Sequence, residues 1–108
     1  MAFRVKHTEQ SYDDLDRIIE YISEKLFDMH AAERFYNKVT EIIERLKENP
    51  YIFPLYHDEK LSAEGYRFAV IGNYLMLFNI DERDDSNKIV NILGIVYGRR
   101  DVPAIFDR

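Results

Sequence analysis

Apolar positions recur along this chain with two different periods, and the switch between them divides it. Leu15, Ile18, Ile19, Ile22 and Leu26 follow helical spacing, as do Ala32, Phe35, Val39, Ile42, Ile43 and Leu46. Spacing of this kind lays one apolar stripe along each of two helices. Thr8 or Ser11 can cap the first, with Asp13, Asp14 and Asp16 near its positive end, and Asp28 can cap the second. Asn49-Pro50 stops the second helix, because proline disfavours helical geometry in the residue before it. A short link between the two predicts an antiparallel helix hairpin. Elsewhere the period shortens. Phe3–Lys6 alternates as a short strand, and Tyr66–Ile71, Tyr74–Ile80 and Ile89–Tyr97 read as three more. Gly72-Asn73 joins two of these with the residue types of a tight hairpin. Asn49–Ser62, with Pro50 and Pro54, reads as irregular, and its rings Tyr51, Phe53 and Tyr56 are expected to pin it to the core.

The order predicts an α+β fold in a single domain spanning residues 1–108. An N-terminal strand leads into the helix hairpin, and a three-stranded antiparallel meander follows, with the helices packed on one sheet face. One feature strains this picture. Leu75-Met76-Leu77-Phe78 and Ile92-Leu93-Gly94-Ile95-Val96 are apolar at successive positions, so both faces of the sheet are apolar. A solvated face would show a polar residue at every second position. Either Tyr51–Tyr56 folds over the second face, or that face is an apolar groove which a partner fills. The second alternative is the sharper expectation.

Composition narrows the class. A chain of 108 residues, 46% hydrophobic and 32% charged, is ordinary for one globular domain. It has no cysteine, which excludes disulfides and thiolate metal sites. No His/Asp/Glu spacing points to a metal and no glycine-rich loop to a bound nucleotide, so no cofactor is expected. No apolar run reaches the roughly 18 residues of a membrane span, and a soluble cytoplasmic protein is expected. Net charge is −5. The helical half from Glu9 to Glu48 holds six Lys/Arg against eleven Asp/Glu, and the half from Gly65 to Arg108 holds six against six. The acidity therefore sits on the helices and argues against bulk attraction to nucleic acid, while a small phosphate site beside the neutral strand half stays open.

Several pieces in a fixed order resemble the RelE/ParE superfamily of bacterial type II toxins over nearly the whole chain. They are Leu46-Lys47-Glu48-Asn49-Pro50, Gly65-Tyr66-Arg67, Asn73-Tyr74-Leu75, Tyr97-Gly98-Arg99-Arg100-Asp101 and Ile105-Phe106. The resemblance implies a toxin that arrests growth when free and is neutralised by a cognate antitoxin. Operator DNA would be reached only indirectly, through that antitoxin. A homodimer or a heterotetramer with the antitoxin is compatible with it. The antitoxin segment would supply the missing cover for the sheet, as an edge strand or a helix in a groove. Arg67, Leu75, Leu77, Leu93, Ile95, Tyr97, Arg99, Arg100 and Phe106 are the candidate partner contacts.

Two branches divide the superfamily. RelE-like members cut mRNA on the ribosome without metal, and ParE-like members poison DNA gyrase. RNA cleavage needs a proton acceptor, cations on the phosphate and a donor for the leaving oxygen. By resemblance, Lys60, Arg67 and Arg100 match cations of the nuclease set. Its second lysine falls on Asp58, and its tail tyrosine falls on Phe106, which has no hydroxyl. Arginine stays protonated and cannot act as a base. Tyr97 could substitute only if its pKa, ordinarily near 10, were lowered, and His57 is a loop histidine with only geometry to recommend it. A ribosome-bound nuclease should also be basic, whereas this chain has pI ≈ 5.2. The ParE-like branch is therefore favoured. The alternatives are an endoribonuclease using Lys60, Arg67, Arg100 and Tyr97, and a decayed toxin that only binds its antitoxin as co-repressor.

Overall fold

A computed structural model describes residues 3–83 and 86–98. Strand β1 (Arg4–His7) leads into helix α1 (Glu9–Glu20), which continues as a π-helical turn over Tyr21–Lys25. Helix α2 (Met29–Glu48) runs back, followed by a 3-10 turn (Pro50–Ile52) and a short helix α3 (Glu59–Ala63). Strands β2 (Arg67–Ile71), β3 (Tyr74–Asp81) and β4 (Ile89–Tyr97) complete the chain. The helix hairpin and the meander stand as the sequence predicts. Thr8, not Ser11, is the first cap: its Oγ1 accepts from the Ser11 N–H at 3.1 Å. Asp28 caps α2 by accepting from the Ala31 N–H at 2.9 Å.

The sheet order is β1-β4-β3-β2, with β1 parallel to β4 and the other pairs antiparallel. The N-terminal strand thus closes the sheet against the last strand, a pairing no local pattern announces. Gly72, at φ 59°, opens the two-residue turn between Ile71 and Tyr74. A glycine at the first central position matches the twist of the strands it joins.

A β-bulge explains the unbroken apolar run in β4. Leu77 lies opposite Gly94 and Phe78 opposite Ile92, so Leu93 is an extra residue with no partner on β3. The insertion reverses the alternation, and Ile92 and Ile95 both turn into the helix-side core. That core also holds Ile18, Phe35, Val39, Leu46, Met76, Phe78 and Val90.

The expectation of an open second face is overturned. Leu75, Leu77 and Val96 are 5%, 0% and 7% exposed, buried under Tyr56 with Leu61 and Phe68 alongside. The cover comes from the chain itself. Pro54–Tyr56 runs along the outer edge of β2, where the Phe68 N–H donates to the Pro54 carbonyl at 3.2 Å and the Tyr56 N–H to the Tyr66 carbonyl at 2.8 Å. Helix α3 then lies over the face. Asp58 starts it, its carboxylate accepting from the Lys60 and Leu61 N–H groups at 3.0 and 3.1 Å. The segment 49–62 is therefore more ordered than its prolines led one to expect, and it splits its rings between the two faces. Tyr51 and Phe53 pack edge-on against Phe3 and Phe78, whereas Tyr56 packs edge-on against Phe68 on the other side.

Past His7, β4 has no neighbouring strand on the β1 side among the described residues, and side chains there reach its backbone. The Thr8 hydroxyl donates to the Leu93 carbonyl at 3.1 Å. The buried carboxylate of Asp14, on α1, accepts from the Ile95 N–H at 3.0 Å and from Gln10 Nε2 at 3.1 Å, and pairs with Arg17.

Replacing Asp14 by alanine is expected to cost about 2–3 kcal/mol, because the buried Ile95 N–H loses its acceptor. Asp14→Asn, which keeps an acceptor, should cost less, and urea denaturation of the pair checks the order. Tyr56→Ala should cost roughly 3 kcal/mol by opening a cavity over Leu75 and Leu77. It should also raise binding of a hydrophobic dye, read by fluorescence.

Candidate partner-binding surface

The residues matched to a nuclease set do not meet on one surface among those described. Arg67 lies opposite Phe78, on the helix side of the sheet. Its Nη1 donates to the Phe53 carbonyl at 2.6 Å, and its guanidinium sits 5.3 Å from the centre of the Tyr51 ring. This arginine is used to hold the 49–53 turn against β2. Lys60 is exposed on α3, over the opposite face. Tyr97 pairs with Tyr74 at the far end of β3, four residues from Phe78 and two strands from Arg67. Four residues of strand span about 13 Å, too far for one phosphate to bridge. Arg99, Arg100 and Phe106 lie outside the described residues.

The charges near Arg67 also disfavour an anion. A concavity of ≈ 490 Å³ beside it is lined by Arg67 and Arg83 against Glu64, Asp81 and Glu82. Arg83 is already spent: its Nε and Nη2 reach the Asp81 carboxylate at 2.9 and 2.7 Å. Those hydrogen bonds hold the Asp81 carboxyl down to about 2. Burial, then a hydrogen bond to Glu82, raises the Tyr51 phenol, and burial, then the Tyr21 and Tyr97 hydroxyls, raises Tyr74. Burial lowers His7, whose ring stacks on Tyr12. His57 stacks on Tyr56, beside the α3 cover. Among the described residues no group of His, Asp and Glu is arranged to hold a metal.

A different surface has the character of a binding site. A groove of ≈ 810 Å³ runs between the end of α1 and the C-terminal half of β4, lined by Ile18, Tyr21, Ile22, Tyr74, Ile95 and Tyr97 among others. Tyr21 and Tyr97 are half exposed there, and the Tyr74 and Tyr97 rings meet edge-on at 5.2 Å. Beside this groove β4 has no strand neighbour among the described residues. The Ile95 N–H points to α1, so by strand alternation the Ile95 carbonyl and the Tyr97 N–H point the same way. An extended segment could pair with that edge and lay side chains in the groove.

The sequence-picked contacts divide accordingly. Leu75 and Leu77 lie beneath Tyr56, Ile95 reaches the groove from the helix core, and Tyr97 is exposed at its rim. Leu93 sits half-buried at the bulge. Sequence reasoning missed the helix side of the groove: Ile18 and Ile22 belong to a stripe that reads simply as core, and Tyr21 lies outside that stripe.

Comparison with known proteins decides the lineage. The family model described as the ParE toxin of type II toxin–antitoxin systems (parDE) matches residues 5–102. The chain belongs to the ParE toxin family. A comparison with curated proteins returns no match. Among solved structures, a chain of the chromosomal ParDE toxin–antitoxin system from P. aeruginosa superposes with a TM-score of 0.68 at 18% identity. The alignment covers 91% of this chain and 98% of that one, and it shows a shared fold. No helix among the described residues of this ParE-family chain is long and apolar enough to cross a membrane.

Arg67→Ala is expected to lower stability by about 1.5–3 kcal/mol, since it removes a charged donor from a part-buried carbonyl. The loss should appear in thermal denaturation whether or not any partner is present.

Proposed function

We propose that this ParE-family chain arrests growth by binding DNA gyrase and is held inactive by a cognate antitoxin seated in the groove beside β4. The observation that carries the gyrase branch over the nuclease branch is the use of Arg67. Its guanidinium is bonded to the Phe53 carbonyl and stacked on Tyr51, so it serves the fold and is not presented to a phosphate. Asp58, at the position of the second lysine, caps α3. The net charge of −5 agrees, because docking into ribosomal RNA calls for cations. A toxin that acts by binding needs an exposed protein-recognition surface and no proton-transfer group.

The antitoxin reading is supported by the groove's apolar lining and by the edge of β4 up to Tyr97, which has no strand neighbour among the described residues. A wrapping segment that adds a strand there would satisfy backbone groups and bury Tyr21 and Tyr97 together.

Two assays on the purified chain separate the readings. Plasmid supercoiling by gyrase should be inhibited, and mRNA on translating ribosomes should stay intact. Adding the protein encoded by the neighbouring reading frame should restore supercoiling. Cleavage of mRNA that disappears in Arg100→Ala, with gyrase untouched, would establish the nuclease instead. Silence in both assays, with cells tolerating expression, would leave a co-repressor.

A further inference from the structure

The groove beside β4 does not end at Tyr97. Helix α1 and β4 advance side by side, with Thr8 bonded at Leu93, Asp14 at Ile95, and Tyr21 and Tyr97 together on the groove lining. Beyond that point the helix continues through its π-helical turn to Leu26, which lines the groove and is 55% exposed. Phe27 and Met29 follow, at 89% and 68%. Leu26 therefore joins the groove to an apolar tip on the same surface. From Asp14 to Phe27 the helix advances about 20 Å at ~1.5 Å per residue. About six residues of extended chain span that distance.

The tip is shaped at a cost that the fold does not need. The Asp28 N–H returns to the Ile22 carbonyl at 3.2 Å, and the chain reverses at Phe27 with φ 51°. Glycine or asparagine suits that left-handed conformation, and a bulky side chain is strained in it. Glycine would keep the turn while removing both the strain and the exposed ring. For the isolated chain a phenylalanine here is unfavourable, and burial against a partner would offset the cost. The surrounding charges set what such a partner carries. Exposed Glu20, Glu24 and Asp28 outnumber exposed Lys25, and Arg17 in the groove is already paired with buried Asp14. A segment with an apolar side chain between basic ones fits that surface.

We infer that the antitoxin segment seated in the groove runs on past Tyr97 and closes over the tip, with one of its apolar side chains against Phe27. This placement rests on the reading that puts the antitoxin beside β4. The occupant is the same partner because the two surfaces are continuous through Leu26. A strand paired at Ile95 and Tyr97 and extended along the helix reaches Phe27 within about six residues. Phe27 is then an anchor for the antitoxin at the far end of its contact.

Titration calorimetry of the full chain against the purified protein encoded by the neighbouring reading frame tests this, with thermal denaturation and gyrase supercoiling read on the same samples. Phe27→Gly should weaken binding by at least about tenfold, as loss of a buried interface aromatic does, while its melting temperature stays the same or rises. Tyr21→Glu, within the groove, should weaken binding as well. Glu24→Lys should weaken it at low salt, with the difference fading as salt rises. Phe27→Gly should inhibit supercoiling to the same extent as the wild type. Undiminished binding by Phe27→Gly with Tyr21→Glu impaired overturns the tip contact and leaves the groove reading standing. Undiminished binding by both variants overturns the groove reading too. Normal antitoxin binding by Phe27→Gly with gyrase inhibition lost would assign the tip to the target and overturn the inference.

Discussion

The fold depends on β4 being buried on both faces and bordered on both edges for most of its length. β3 takes one edge, β1 takes the first half of the other, and Thr8 and Asp14 take part of what remains. Asp14 is the member that ties layers together. Its carboxylate joins α1 to the backbone of the last strand just after the bulge, from a position 1% exposed to solvent. A buried carboxylate is tolerated only where donors surround it, and Ile95, Gln10 and Arg17 supply them. This group ties α1 to the sheet beside the groove, together with Ile18 in the core.

The bulge at Leu93 has a second consequence. By shifting the phase of β4, it gives Ile95 to the helix core and Val96 to the opposite cluster. A strand without the bulge would send Ile92 and Ile95 to opposite faces, leaving one core short of a side chain. The distal face is then closed by Tyr56 and α3, which sit on a segment tied along the edge of β2. Both outer risks of a small sheet, a bare face and a bare edge, are managed by the same stretch of chain. Among the described residues, Val70 on β2 and Ile52 and Leu55 on the covering segment stay exposed, as do Leu26, Phe27 and Met29 at the helix tip.

Arg67 illustrates how a residue matched by family position can be absorbed by the fold. Its guanidinium is the link that holds the Pro50–Ile52 turn to β2, through the Phe53 carbonyl and the Tyr51 ring. A part-buried arginine with those partners is costly to free, which separates it from the exposed Lys60 on the far side of the sheet.

The sequence by itself determined the elements that local chemistry controls. The helix stripes, the caps Thr8 and Asp28, the stop at Asn49-Pro50 and the Gly72-Asn73 turn are each set by neighbours within a few residues. The doubly apolar character of Leu75–Phe78 and Ile92–Val96 was equally plain, and it correctly announced two covers. Which body supplies the second cover was decided only in three dimensions, because Tyr56 and Leu61 reach that face through long-range pairing along β2. The parallel docking of β1, the phase shift at Leu93 and the reach of Asp14 to Ile95 are likewise non-local. Each joins residues far apart in the chain, and no periodicity records which distant backbone group a side chain will find.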